Sequence, residues 1–299
     1  MLKKISICIF LMMMIAVSPC YAVKSLKKTV AVFDFKNDSG FRSKGNLGQD
    51  FSTQLNDALI QSGEFIVLSR KDLDVVMAEQ DLAQSDRFAK STSARTGKIV
   101  ASQILIKGQI TEFEENTSGG GQGLSIKGFK IGAKKSTAHI AVIIQLIDST
   151  TGEILHSKRV EGEAKSGGLS LGYSGDFDIS SSNFQKTPLG KAVQMAIDRA
   201  VNFVSKKAAE VDWRGKVVLV KGDEVFINAG QNVGVQNGDT FSVWREGEAL
   251  IDPDTGIELG RDSSKVADVS VFSVEDKFSK ARVVGAAQGE IQKGNVVKE

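Results

Sequence analysis

The chain has 299 residues, 38 of them basic and 36 acidic, with two histidines, two cysteines and 41% hydrophobic side chains. Nucleic acid is held by concentrated positive charge that displaces counterions, so a near-neutral balance argues against it as a partner. Both cysteines, Cys8 and Cys20, lie within the first 22 residues, and once these are removed no disulfide, thiolate zinc site or cysteine nucleophile is available.

Residues 1–22 read as a signal peptide. Lys3 and Lys4 form its positive end, Ile5 to Val17 its apolar run, and Cys20-Tyr21-Ala22 a small-x-small cleavage site. Its loss brings the basic residues level with the acidic ones. A lipoprotein signal, with Cys20 becoming the acylated first residue, is the second reading; Pro19 directly before the cysteine favours plain cleavage after Ala22. The chain is therefore expected to be exported; the resemblance described below implies the outer-membrane-bounded periplasmic space as its destination. No later segment has the roughly 20 apolar residues of a spanning helix, so any membrane insertion must use strands.

Thr29 to Phe35 is a β-branched and aromatic run ended by Asn37-Asp38-Ser39-Gly40, which predicts a buried strand and a turn. From Asn46 to Gln61, Leu47, Phe51, Leu55 and Leu59 recur every fourth position, with Gly63 where a helix-ending glycine belongs. Phe65 to Leu68 predicts a short strand, and Leu73, Val76, Met77 and Leu82 a second helix entered through Ser69. Gln103 to Phe113 and Ala138 to Asp148 read as strands, the second apolar on both faces from Val142 to Ile147 as in an interior. Thr150-Thr151-Gly152 turns the chain into a strand over Ile154 to Gly162. Thr187 and Pro188 supply a cap and first-turn proline for the longest helix, striped by Leu189, Val193, Ile197, Ala200, Val201 and Val204.

Two insertions interrupt this pattern, at about 114–137 and 163–187. In the second, Leu169, Leu171, Tyr173, Phe177 and Ile179 share one parity, and Ser170, Gly172, Ser174, Asp176 and Asp178 the other. A transmembrane barrel strand needs this alternation over about 9–11 residues, with lipid on one side and a wet lumen on the other. In the first, Leu124 and Ile126 stand on one parity and Phe129 and Ile131 on the other, so a bulge at Gly128 is expected to restore one face. The other reading is a pair of amphipathic hairpins packed on the protein's own surface or on a neighbouring subunit.

Beyond Trp213, short strands with Gly-Asp turns predict a small all-β barrel or sandwich. The expected domains are 23–213, α/β (α+β) with two extended hairpin insertions, and 214–299, all-β.

Enzyme chemistry finds little footing. His139 and His156 sit in strands without ligand spacing, Thr96-Gly97-Lys98 lacks the rest of a phosphate loop, and Asp252, Asp254 and Gly256 form only half of a calcium loop and read as a turn. The expectation is a non-enzymatic protein with no metal and no cofactor.

Residues 119–155, GGGQGLSIKGFKIGAKKSTAHIAVIIQLIDSTTGEIL, resemble the first membrane-hairpin region of the CsgG/HfaB family of curli and holdfast secretion-assembly proteins, with its glycine-rich approach, FKIGA and closing STTGEIL. FIVLSRKDLDVVMAEQDLAQS, ILIKGQITEFEE and VAVFDFKNDSGFRSKG are similar to other parts of that family, extending the likeness over about 29–207. The segments INAGQNVGVQNGDTFSVWREG and DPDTGIELG resemble the C-terminal domain of FlgT, a flagellar periplasmic accessory protein. The resemblance implies a homo-oligomeric ring, export of unfolded appendage subunits, periplasmic accessory partners and outer-membrane association. It makes the nine apolar hairpin residues lipid-facing candidates and implies a constriction loop with Phe41 and Asn46 as its candidates. The alternative is a soluble periplasmic ring or scaffold serving another envelope machine.

Overall fold

The computed structural model describes residues 26–41, 46–83, 100–118, 124–126, 129–131, 134–168, 182–254, 256 and 258–299. In chain order the elements are β1 (Lys28–Val32), β2 (Lys36–Asn37), α1 (Leu47–Ser62), β3 (Phe65–Val67), α2 (Leu73–Ala83), β4 (Ile104–Ser118), β5 (Leu124–Ile126), β6 (Phe129–Ile131), β7 (Lys134–Asp148), β8 (Ile154–Gly168), α3 (Ser182–Gln185) and α4 (Pro188–Ala208). Then come β9 (Arg214–Lys221), β10 (Glu224–Ile227), a 3-10 turn at Gln231–Val233, β11 (Thr240–Ile251), β12 (Glu258–Val274), β13 (Ser279–Val284) and β14 (Val296–Lys298).

The first unit is a mixed sheet in the order β3-β1-β4-β7-β8, with β2 pairing beside β4. β1 runs parallel to β3 and β4, whereas β4, β7 and β8 are antiparallel. Its helices form where the sequence caps them. Asn46 accepts a hydrogen bond from the Gln49 N–H, and Gly63 closes α1 at φ 68°. The Thr187 side chain accepts from the Gly190 N–H at 3.0 Å, with Pro188 opening α4.

The sheet face carrying Ile104, Ile106, Ile110, Val142, Ile144, Leu146 and Val160 packs with Phe51, Leu55 and Leu59 of α1 and with Val193, Ile197, Ala200 and Val204 of α4 in one core. Burial on the strands alternates accordingly. Ile144 and Leu146 are buried, while Ile143 and Ile147 are only half-buried. The expectation that β7 is interior on both faces thus holds for one face, because α1 and α4 lie on the same side. The approach is close: a Cβ on Gly162 of β8 would stand 1.9 Å from the Ala192 carbonyl oxygen of α4.

The second unit is a closed six-stranded barrel in the order β10-β13-β12-β11-β14-β9, with every neighbour antiparallel. Closure gives each strand two neighbours, while β11 beyond Trp244 and β12 before Lys265 pair only with each other and run on as a two-stranded extension. Its core gathers Val217, Val225, Ile227, Phe241, Val243, Val269 and Val297, and Trp213 lies 5.7 Å from the Phe241 ring. The two units meet through the residues that lead into β1. Leu26 packs into the barrel core, and the Lys27 N–H donates to the Val233 carbonyl at 2.8 Å. Lys28 is 3% exposed, and loss of water pushes its ammonium below its ordinary range, opposed by the negative charge of Glu299 and Asp212.

Candidate functional site

The strands expected to end near the two insertions do not end there. β4 and β7 stay paired from Ile104 opposite Asp148 to Ser118 opposite Lys135, and β8 follows β7 to Gly168 opposite Lys134. Three core strands thus continue as one ribbon past the body of the sheet. The parity change comes at its root, where the β4 register shifts between Ile110 and Glu112. A bulge there adds one residue and turns the following side chains over. Phe113 consequently takes the buried face, opposite Ile140, and Glu112 the outer one, opposite Ala141.

The ribbon is two-sided near its root. Phe113, Ile140, Gly162, Ala138 and Ala164 are buried toward the helices. On the other side register aligns Glu112 with Ala141 and Glu161, then Glu114 with His139 and Glu163. Arg159 straps this outer face together: its guanidinium lies 2.6 Å from Glu112 Oε1 and 2.8 Å from Glu161 Oε1, and donates to Thr111 Oγ1 at 3.1 Å. It ties β4 to β8 across β7. His139 Nε2 reaches Glu112 Oε2 at 2.9 Å. The Arg159 hydrogen bond, then that of His139, holds the Glu112 carboxyl below the usual range. Glu161 and Glu112 together raise Arg159.

The hairpin β5–β6 pairs Leu124 with Ile131 and Ile126 with Phe129. Register thus aligns positions 124 and 126 with 131 and 129, and 125 with 130, while Gly128, where a bulge is expected, lies outside the described residues. Leu169, Leu171, Tyr173, Phe177 and Ile179 lie outside the described residues, as do residues 1–22.

Phe41 is brought to the ribbon's root. Its ring centroid stands 4.7 Å from that of Phe113, and its carbonyl accepts from Asn37 Nδ2 at 2.8 Å. Asn46 is placed as the cap of α1. Asp252 Oδ1 accepts from the Asp254 N–H at 2.9 Å, and Gly256 follows at φ 70°, which is the geometry of a turn. Among the described residues no helix is long and apolar enough to cross a membrane, which says nothing about strands. Sequence reasoning missed the Arg159 strap. Its partners Thr111 and Glu112 are 48 and 47 residues away, and only the outward parity of Glu161, Glu163 and Lys165 hinted at a charged face.

The model of the curli production assembly/transport component CsgG matches residues 20–233, well over half of the chain. The chain belongs to the CsgG family. It is thus an envelope protein related to those of curli secretion. Residues 222–299 match the C-terminal domain of flagellar assembly protein T. Among curated proteins none matches.

Solved structures similar to this CsgG-family protein include the hypothetical protein CT253 from Chlamydia trachomatis, at 14% identity and TM-score 0.40, covering 62% of this chain and 99% of that one. The lipoprotein GNA1162 from Neisseria meningitidis is similar at 16% identity and TM-score 0.28, covering 60% and 99%. The PelC dodecamer from Paraburkholderia phytofirmans is similar at 11% identity and TM-score 0.27, covering 58% and 89%. Scores this low leave the fold to the protein's own coordinates and its relationship to the family match.

Proposed function

We propose that this CsgG-family protein is a non-enzymatic, homo-oligomeric component of the outer envelope that takes part in secretion or assembly of curli-type appendage subunits. In this reading the ribbon of β4, β7 and β8, with the hairpins beyond it, is contributed to a barrel shared among several copies. The barrel domain faces the periplasm, where accessory proteins meet it. The observation that carries the reading is the unbroken pairing of three strands past the sheet body. A ribbon rooted in the core transmits a fixed orientation to its tip, whereas a hairpin on a flexible tether does not. The apolar positions 124, 126, 129 and 131 on one side fit contact with lipid, which an open-edged ribbon can enter only when copies close the barrel. Phe41, packed at the ribbon's root, and Asn46 are the residues we assign to a constriction inside the ring.

Fractionation of cells carrying Leu124→Lys with Ile131→Lys tests this. A lysine facing lipid costs about 2–4 kcal/mol at the bilayer midplane. The variant is expected to leave the membrane fraction and to lose oligomers recoverable in mild detergent. Unchanged membrane fractionation, or a wild-type protein found wholly as a soluble monomer, sinks the proposal. A second reading is a soluble periplasmic ring or scaffold for another envelope machine, favoured by the match of residues 222–299 to a flagellar assembly domain. A soluble wild-type ring would select it.

A further inference from the structure

Among the described residues β8 pairs only with β7 and ends the sheet. Its backbone orientation follows from two contacts. The Arg199 guanidinium donates to the Glu161 carbonyl at 2.7 Å, so that carbonyl turns away from β7. The carbonyl of Ala141, opposite Glu161, accepts from Thr111 of β4 and so turns away from β8. In an antiparallel ladder, inward and outward residues alternate. The register holds from Ser157 to Gly162, so Ser157 and Arg159 also present their N–H and C=O outward. Ser157, Lys158 and Arg159 are exposed.

This open edge lines a groove of about 640 Å³ whose opposite wall is α4. Its floor holds Val160 and Phe203, and Lys158 lies 5.8 Å above the Phe203 ring. Lys158, Arg199, Lys206 and Lys207 bring positive charge to it. Negative charge nearby is already engaged: Glu161 is held by Arg159 at 2.8 Å, and Glu210 by Lys207 at 2.7 Å.

We propose that this groove binds an extended, acidic segment of a partner polypeptide, which adds as a strand to β8 at Ser157–Arg159 and sets carboxylates against Lys158, Arg199 and Lys206. Main-chain hydrogen bonds supply attachment in strand addition, and flanking side chains supply selectivity. The charge selects the occupant: a basic or neutral strand gains the same backbone bonds without the cations. The site is independent of whether the ribbon tips enter a membrane.

The test is fluorescence anisotropy of the purified protein with a labelled peptide of about six residues, the length of a common strand, alternating glutamate and valine. Its lysine–valine counterpart is the control. The acidic peptide is expected to bind and to weaken as salt rises. Arg199→Glu combined with Lys206→Glu is expected to weaken it about tenfold or more, because the reversed charges repel it. Lys206→Arg should retain binding. Ser157→Pro removes an outward N–H, which an edge strand tolerates, and should weaken binding while the thermal transition stays in place. Equal binding of both peptides, insensitivity to the charge reversal, or no binding at about 1 mM peptide overturns the proposal. So does dissociation of a wild-type oligomer by Ser157→Pro, since the edge would then be a subunit contact.

Discussion

The sheet unit and the barrel solve the same problem in opposite ways. The barrel closes on itself, with only the outer ends of β11 and β12 paired on one side, whereas the sheet ends at β8 and sends three strands out as a ribbon. A closed barrel spends its backbone hydrogen bonds internally, and an open sheet keeps some for partners. In the function proposed above, the first unit is the one that meets partners through its strands.

The largest expected effect tests whether the two are separate cooperative units. Phe51 and Phe241 are fully buried, one in each core. Each replacement by alanine is expected to cost about 3–5 kcal/mol. By calorimetry Phe51→Ala should lower one of two transitions and Phe241→Ala the other. One transition lowered by both would mean that the seam at Leu26 and Lys28 fuses them.

A smaller effect sharpens the comparison through glycine. Gly162→Ala forces a methyl into the Ala192 carbonyl of α4, and with backbone on both sides little can give; about 1–3 kcal/mol is expected from overpacking. Gly285, at the end of a barrel strand, has open space around its missing Cβ but sits at φ 75°. Gly285→Ala should cost only the backbone strain, about 1 kcal/mol. Chemical denaturation orders the two, and an equal or larger loss at Gly285 would show that the β8–α4 approach is not tight. Thr187→Ala removes the cap of α4 and is expected to cost about 1 kcal/mol by the same measurement.

The subtlest prediction concerns the ribbon's strap. The folded-state carboxyl of Glu112 is depressed by Arg159 and then His139, so its stabilising contribution is present above the ordinary glutamate range. It is lost as pH falls through the depressed value. Glu112→Gln should therefore narrow the drop in melting temperature between neutral pH and about pH 3. Because these groups are solvent-exposed, the change should also shrink in high salt. A pH profile identical to wild type would remove the strap from the ribbon's stability.

The sequence by itself determined the α/β class, the all-β end of the chain, the capped helices and the family likeness. Those signals are local: Asn46 and Thr187 bond within three residues, and the Leu47 to Leu59 spacing repeats within a single helix. Tertiary structure alone decided which strands continue as the ribbon, that Ile143 and Ile147 lie half-open on the face away from α1 and α4, that Phe41 meets Phe113, and that Arg159 spans three strands. Period-two alternation tells which residues share a face but not which distant strand pairs there or in what register. The shift between Ile110 and Glu112 shows the consequence, since one added residue in β4 sends Phe113 inward and Glu112 to its partner 47 residues away.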